Sequence, residues 1–217
     1  EKNWKQYSAL YSEYVNFFHN ELLNSHEAKA SLQYLIKRKL DFNIIKNFKL
    51  GYVKKNSNFI EIMKNKFNEK DLKDCGIFYH DDKKKIFVDR FKERIIFPIN
   101  SISGQPIALG GRTMKKDSYI AKYINSPETQ FFKKGNNLYN LDKARRFSNS
   151  LEQIFLVEGY MDVIGLNNNG IENCVANLGT ALTDKQISIL NQFFNEIIIC
   201  FDGDESGYKA AVRAAEN

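Results

Sequence analysis

Two apolar runs that break off in carboxylates constrain this chain most: IFLVEGYMDV at residues 154–163 and IIICFDGDESG at residues 197–207. A strand that delivers acids at its C-terminal end and then turns into a helix is how an open α/β sheet builds a site above its strands. Around these runs the chain reads strand, helix, strand, helix, strand, helix. The strands fall at residues 154–157, 174–176 and 196–201, and the helices start near Gly159, Thr183 and Gly207. That order implies parallel strands joined by right-handed crossovers. Glu158, Asp162, Asp202 and Asp204 then gather at one sheet edge, where like charges repel unless a cation sits among them. Mg²⁺, a hard ion that takes oxygen ligands, fits this donor set.

Spacing alone leaves two readings of the acids open. Asp202 and Asp204 flank Gly203, and a period of two aims both carboxylates the same way while the chain stays extended. Asp162 lies one helical turn after Glu158 and is expected to face the same direction. Together the acids can hold one or two Mg²⁺ ions that stabilise a phosphoryl-transfer transition state. The same letters also fit solvated βα loops, with Asp204 as the N-cap of the last helix. Gly179-Thr180 is either an anion-binding turn or a tight turn leading to Thr183 as a cap.

The preceding residues have another character. Over residues 1–50, Tyr7, Leu10, Tyr11, Tyr14, Val15 and Phe18 recur at helical spacing, as do Leu32, Leu35, Ile36 and Leu40. Residues 59–75 read as one short amphipathic helix ended near Gly76. Residues 84–114 alternate apolar and polar, with a turn signal at Ser103-Gly104, and are expected to form strands and a hairpin. Residues 115–150 read as loops. A boundary near residues 148–153 therefore separates a mixed α+β part, 1–150, from an α/β part, 151–217.

Lys and Arg outnumber Asp and Glu by 32 to 26, which favours an anionic partner such as nucleic acid or nucleotides. Arg90, Lys92 and Arg94 alternate in VDRFKERIIF and would share one strand face; Arg112, Lys115, Lys116, Lys122, Lys133 and Lys134 follow. A groove so lined tracks a phosphodiester backbone or takes triphosphates. Lys115, Lys116 and the run Lys83 to Lys85 are read as solvated surface. Asn125 and Ser126 offer neutral hydrogen bonds to sugar or phosphate. Among eleven Tyr and seventeen Phe, Tyr7, Tyr11, Tyr14 and Phe18 are read as packing and Tyr123 as a stacking residue in a loop. His19, His26 and His80 are read as surface residues without partners.

Cys75, Cys174 and Cys200 are isolated, with no Cys-x-x-Cys or Cys/His cluster, so neither a disulfide framework nor a zinc site is supported. Cys200 reads as a small core residue of its strand. No signal peptide and no apolar run long enough for a membrane span is present, so a cytoplasmic, reduced protein is expected. A phosphate loop of the G-x-x-x-x-G-K-[ST] type does not occur, which disfavours a helicase.

EGYMDV, NLGT (177–180) and the apolar strand ending in DGDESG resemble the Toprim domain of bacterial DnaG-type primases. Upstream, VDRFKERIIFPI (88–99), GGR (110–112) and KYINSPETQFFKKG (122–135) resemble that family's basic N-terminal subdomain, and SLQYLIKRKL (31–40) is similar to its helical segment. The resemblance implies an RNA polymerase core that makes short primers de novo on single-stranded DNA from NTPs. It implies metal ligation of Mg²⁺ or Mn²⁺ by Glu158, Asp202 and Asp204, with Asp162 lining the site. It also implies template or NTP contacts by Arg90, Arg94, Arg112, Lys122, Tyr123, Asn125 and Lys134. The family's further acidic pair, its zinc module and its helicase-binding region lie outside these residues. On this reading the chain is a monomeric fragment with a truncated Toprim unit that can be inactive alone, no zinc is expected in it, and the replicative helicase contacts a region absent here. A Toprim nuclease or topoisomerase and a non-catalytic, DNA-binding Toprim or receiver-like module are the competing readings.

Overall fold

The computed structural model describes residues 2–115, 119–179 and 181–216; Lys116 and Thr180 lie outside them. Two compact units are present, Glu1–Ile99 with Gln105–Phe131, and Asn100–Gly104 with Phe132–Asn217.

In the first unit, α1 (Lys2–Asn24) is followed by α2 (Lys29–Lys37), α3 (Phe42–Asn47) and β1 (Gly51–Val53). The apolar stripe of α1 is buried, including Leu10, Tyr11, Tyr14, Val15 and Phe18. Because three of its buried residues are tyrosines, three hydroxyls leave water with it and need partners. Tyr7 donates to the Ile107 carbonyl at 2.7 Å, Tyr11 to the Cys75 carbonyl at 2.7 Å, and Tyr14 to the Asp89 carboxylate at 2.9 Å. His19 and His80 also have partners, contrary to expectation: Nδ1 of His19 is 2.6 Å from the Leu50 carbonyl, and Nδ1 of His80 is 2.7 Å from Asp82.

The single helix expected over residues 59–75 is two, α4 (Phe59–Lys64) and α5 (Glu69–Asp74). Lys66 and Phe67 both donate to the Met63 carbonyl, which closes α4, and the Asn68 side chain accepts from Asp71 N at 2.8 Å to start α5. Next come β2 (Phe78–Asp81), β3 (Ile86–Asp89), β4 (Arg94–Asn100), β5 (Pro106–Thr113) and β6 (Tyr123–Asn125). β2 and β3 pair with each other, and β1, β4, β5 and β6 form a sheet in that order. The expected turn is present, with Gly104 at φ +86° donating to the Ser101 carbonyl.

VDRFKERIIF is not one strand. Asp89 Oδ1 accepts from Phe91 N at 2.7 Å and Glu93 takes φ +57°, so residues 90–93 turn between β3 and β4. Tyr123 lies in a strand rather than a loop, because residues 123–125 pair antiparallel with residues 110–112. The glycine at 111 is required by a close approach, since a Cβ there would stand 2.6 Å from Phe91 Cδ1.

In the second unit, α6 (Leu141–Ala144) precedes β7 (Gln153–Val157), α7 (Tyr160–Asn168), β8 (Cys174–Ala176), α8 (Asp184–Leu190), β9 (Glu196–Ile199) and α9 (Glu205–Ala215). The sheet order is β8-β7-β9 and both pairings are parallel, as the alternation of strands and helices requires. Ile154, Leu156, Val175, Leu190 and Phe194 fill its core. The fold class is thus α/β: mixed antiparallel sheets and helices, then a parallel βαβαβα unit. β9 ends sooner than expected, and Cys200 is exposed rather than a core residue, following an edge strand with no fully buried residue. Burial pushes the thiols of Cys75 and Cys174 up to about 11 and about 12, so neither is a nucleophile at neutral pH. Among the described residues no helix is long and apolar enough to cross a membrane.

Burial raises the Asp89 carboxyl to about 7, partly offset by the Phe91 amide and the Tyr14 hydroxyl. A native pKa above the unfolded value of about 3.9 means the folded protein prefers this acid protonated. Its contribution to stability is therefore full below about pH 4 and is lost as pH rises through 7. Asp89→Asn keeps the shape without the charge. Urea melts should show wild type losing stability relative to Asp89→Asn between those pH values; a pH-independent difference would contradict the shift.

Candidate functional site

The acid-bearing ends of β7 and β9 are brought together because the two strands are hydrogen-bonded neighbours, with Cys200 N still donating to the Leu156 carbonyl beyond the last pair. Glu158 leaves β7 and Asp202 follows β9, and Glu158 Oε1 accepts from Asp202 N at 2.9 Å. Gly207 packs beneath this junction. A Cβ there would overlap the Asp202 carbonyl oxygen and stand 2.8 Å from Glu158 Oε1. A cavity of about 310 Å³ opens beside Glu158, lined also by Asn177, Gly179, Ser206 and Arg213.

The other two acids turn elsewhere with one oxygen each. Asp162 Oδ2 accepts from Gly159 N at 2.9 Å, and Asp204 Oδ1 accepts from Gly207 N at 2.7 Å as the N-cap of α9. Orphan amides at helix N-termini favour both contacts. The extended Asp-Gly-Asp geometry expected from the sequence is therefore not formed: the chain turns into α9 and Asp204 folds back onto it. All four carboxylates are exposed. Their chemistry, all hard oxygen donors, fits a divalent cation. Among the described residues, however, no three acids, histidines or cysteines close round one point that could hold a metal ion.

Lys134 belongs to the same unit as the acids, and its backbone is anchored by α8. Gln186, fully buried, donates from Nε2 to the carbonyls of Lys134 at 3.1 Å and Asn137 at 2.8 Å, while Thr183 Oγ1 donates to the Gly135 carbonyl at 2.7 Å. Thr183 and Gln186 also form the capping box of α8. Gln186 was not singled out from sequence; the Thr-x-x-Gln spacing was its signal.

Arg90, Arg94, Arg112, Lys122, Tyr123 and Asn125 fall in the first unit. Arg90 is exposed in the β3–β4 turn, its Cζ 5.4 Å from the Tyr79 ring. Arg94 does not share a face with it. Arg94 is buried at 8 % exposure, and Nη1 donates to the Ala121 carbonyl at 3.0 Å and the Lys122 carbonyl at 3.3 Å. Sequence alternation pointed it outward; the turn at residues 90–93 resets the phase. Arg94 thus braces the segment that carries Lys122 and Tyr123. Ser126 is fully buried and its Oγ accepts from Leu109 N, so it is not placed to meet a ligand. Lys115 pairs with Glu93 at 2.6 Å. Lys122 is exposed and Asn125 half-buried. Arg112 lies directly across from Tyr123, with Tyr34 of α2 at its guanidinium. Tyr34 and its neighbour Arg38 were missed, although their spacing of four on one helix face was legible.

Residues 17–145 match the family model "DNA primase catalytic core, N-terminal domain", and residues 152–217 match the Toprim domain. The chain belongs to the DNA primase catalytic-core family. A DNA primase of Enterococcus faecalis is 36% identical over 213 residues, covering 95% of this chain and 34% of that relative. A DNA primase domain from Pseudomonas aeruginosa superposes with a TM-score of 0.88 at 38% identity, over 97% of this chain and 65% of that one. A DnaG primase catalytic domain solved bound to ssDNA gives a TM-score of 0.88 at 34% identity, over 99% of this chain and 67% of that one. The chain spans about a third of the length of the curated primases it matches. Toprim domains and primase relatives imply use of a divalent metal in general.

Arg94→Met should cost about 2 kcal/mol, since the Ala121 carbonyl loses its charged donor, while the Lys122 carbonyl keeps the Thr113 amide. The melting temperature measures this, and a change within error would deny the bracing role. Gly207→Ala should both lower the melting temperature and displace the Glu158–Asp202 contact, read as a shift of the Asp202 amide resonance. An unmoved resonance would mean the site tolerates the methyl.

Proposed function

We propose that the complete protein is a DNA primase, a DNA-directed RNA polymerase that makes short primers de novo on single-stranded DNA. The observation that carries this is the joint placement of Glu158 and Asp202 at adjacent parallel strand ends, in a chain whose two modules match the primase core and the Toprim domain in order. The topoisomerase and nuclease readings do not account for the match upstream of the Toprim unit.

Glu158, Asp202 and Asp204 are the proposed ligands of Mg²⁺ or Mn²⁺, with Asp162 lining the site. Bound there, the ion would supply positive charge to a phosphoryl-transfer transition state. The caps made by Asp162 and Asp204 use one oxygen of each in hydrogen bonds. Asp202 N holds Glu158 from behind, so that carboxylate is oriented before any ligand arrives. Arg90, Arg112, Lys122 and Lys134 are the proposed phosphate contacts, with Tyr123 stacking and Asn125 bonding neutrally. Arg suits a bidentate grip and Lys a point charge. Arg94 acts by holding Lys122 in place. The reaction itself is attack of a primer 3′-hydroxyl on the α-phosphate of an NTP, releasing pyrophosphate, and needs no protein nucleophile.

The proposed template is single-stranded DNA, and a related catalytic domain has been solved bound to ssDNA. The protein is proposed to act as a monomer in the bacterial cytoplasm, meeting the replicative helicase through a region outside these residues. The sequence modules are placed at 1–150 and 151–217.

Labelled-NTP incorporation on single-stranded DNA by the complete protein, with and without Mg²⁺, tests this reading. Short RNA should appear only with the metal, and Glu158→Gln or Asp202→Asn should lower its yield by at least about a hundredfold while folding is retained. Undiminished synthesis by both variants would remove the metal assignment. DNA binding without any RNA from wild type would favour the non-catalytic module.

A further inference from the structure

Arg112 does not project as an isolated side chain. Its Cζ stands 4.1 Å from the centroid of the Tyr34 ring and 5.8 Å from that of Tyr123. Tyr123 reaches it across the β5–β6 pairing, while Tyr34 comes from α2, far away in sequence. Tyr34 is itself held: Arg38 Nε lies 3.1 Å from its hydroxyl, with the Arg38 Cζ 5.9 Å from the same ring. Among the described residues the Arg112 Nε is buried without an acceptor, and Nη1 meets the Met114 sulfur, a weak acceptor, at 3.2 Å.

A guanidinium is a plane whose donors lie in its edge, so a ring over its face fixes the plane without occupying the fork. Among the described residues nothing saturates that fork: Arg112 is half-buried, and of its donors Nε is withdrawn from water without an acceptor. The group is therefore ordered before an oxyanion reaches it, which lowers the entropy lost on binding.

We propose that Tyr34 is a positioning residue for Arg112, stacking its guanidinium so that the fork is preset for a phosphate group. The phosphate belongs either to a bound nucleoside triphosphate or to the template backbone. This rests on the reading of Arg112 as a phosphate contact.

The test uses the complete protein and compares wild type, Tyr34→Leu, Tyr34→Phe, Arg112→Ala and the double variant Tyr34→Leu/Arg112→Ala. KM and kcat for NTP and the salt dependence of binding to a single-stranded oligonucleotide are measured for each, after a thermal melt shows folding. Tyr34→Leu should raise NTP KM or the oligonucleotide Kd about fivefold, with kcat within about twofold. Tyr34→Phe, which keeps the ring, should stay within about twofold of wild type, and Tyr34→Leu should add nothing on top of Arg112→Ala. A rise in KM alone assigns the triphosphate; a rise in Kd with a salt slope reduced by about one assigns the backbone. Wild-type behaviour of Tyr34→Leu beside an impaired Arg112→Ala overturns the proposal while sparing the role of Arg112. So does full additivity in the double variant, or a Tyr34→Phe as impaired as Tyr34→Leu. Wild-type behaviour of Arg112→Ala overturns the phosphate reading and this proposal with it. If Tyr34→Leu does not fold, Tyr34→Gln, which also removes the ring, carries the same comparisons.

Discussion

A polar group withdrawn from water must find a partner, and this constraint organises the chain more than any single apolar contact. The hydroxyls of Tyr7, Tyr11 and Tyr14 could not be buried on α1 unless Ile107, Cys75 and Asp89 offered acceptors. Each bond ties the helix to a different part of the first unit, so the aromatic stripe sets orientation as well as burial. Arg94 obeys the same rule from the donor side, and Gln186 does so in the second unit. Asp89 precedes Arg90 in the chain, Arg94 holds the Lys122 carbonyl and Gln186 holds the Lys134 carbonyl, so three of these satisfied groups adjoin residues proposed to meet nucleic acid or nucleotide.

The acids illustrate how one carboxylate serves two demands. A helix N-terminus presents unpaired amides, and an acid in the first turn satisfies one of them with a single oxygen. Asp162 and Asp204 do this, and Glu158 does the equivalent for the amide of Asp202. Of the two readings that spacing left open, the structure shows the capping one at Asp162 and Asp204, and metal ligation by the same acids belongs to the proposed function. Glycine at 207 is part of the arrangement, since only a residue without Cβ lets α9 start this close to Glu158.

Much of the second unit was legible because its signals are local. Apolar runs of strand length, caps such as Thr183 and Asp204, and the alternation of strands and helices leave few topologies once crossovers are right-handed. In the first unit, α1 was equally plain from its periodicity. What failed there were phases and breaks. The Asp89–Phe91 turn interrupts a run that alternates like a strand, and Asn68 restarts a helix in a segment that reads as one. β6 was invisible because its three residues are defined by their partners in β5 rather than by their own composition.

The amino-acid sequence by itself determined the α/β alternation, the acidic strand ends, the basic character of the upstream half and the resemblance to the primase core. These rest on periodicity and on residue types adjacent in the chain. Only the tertiary structure decided that Arg94 is buried while Arg90 is exposed, that the Arg112 guanidinium carbon lies over the Tyr34 ring, and that Lys134 shares a compact unit with the acids. Each of those outcomes depends on which distant segments pack together. Side-chain direction after a turn, and the partner of a buried donor, are set by three-dimensional neighbours that spacing along the chain does not encode.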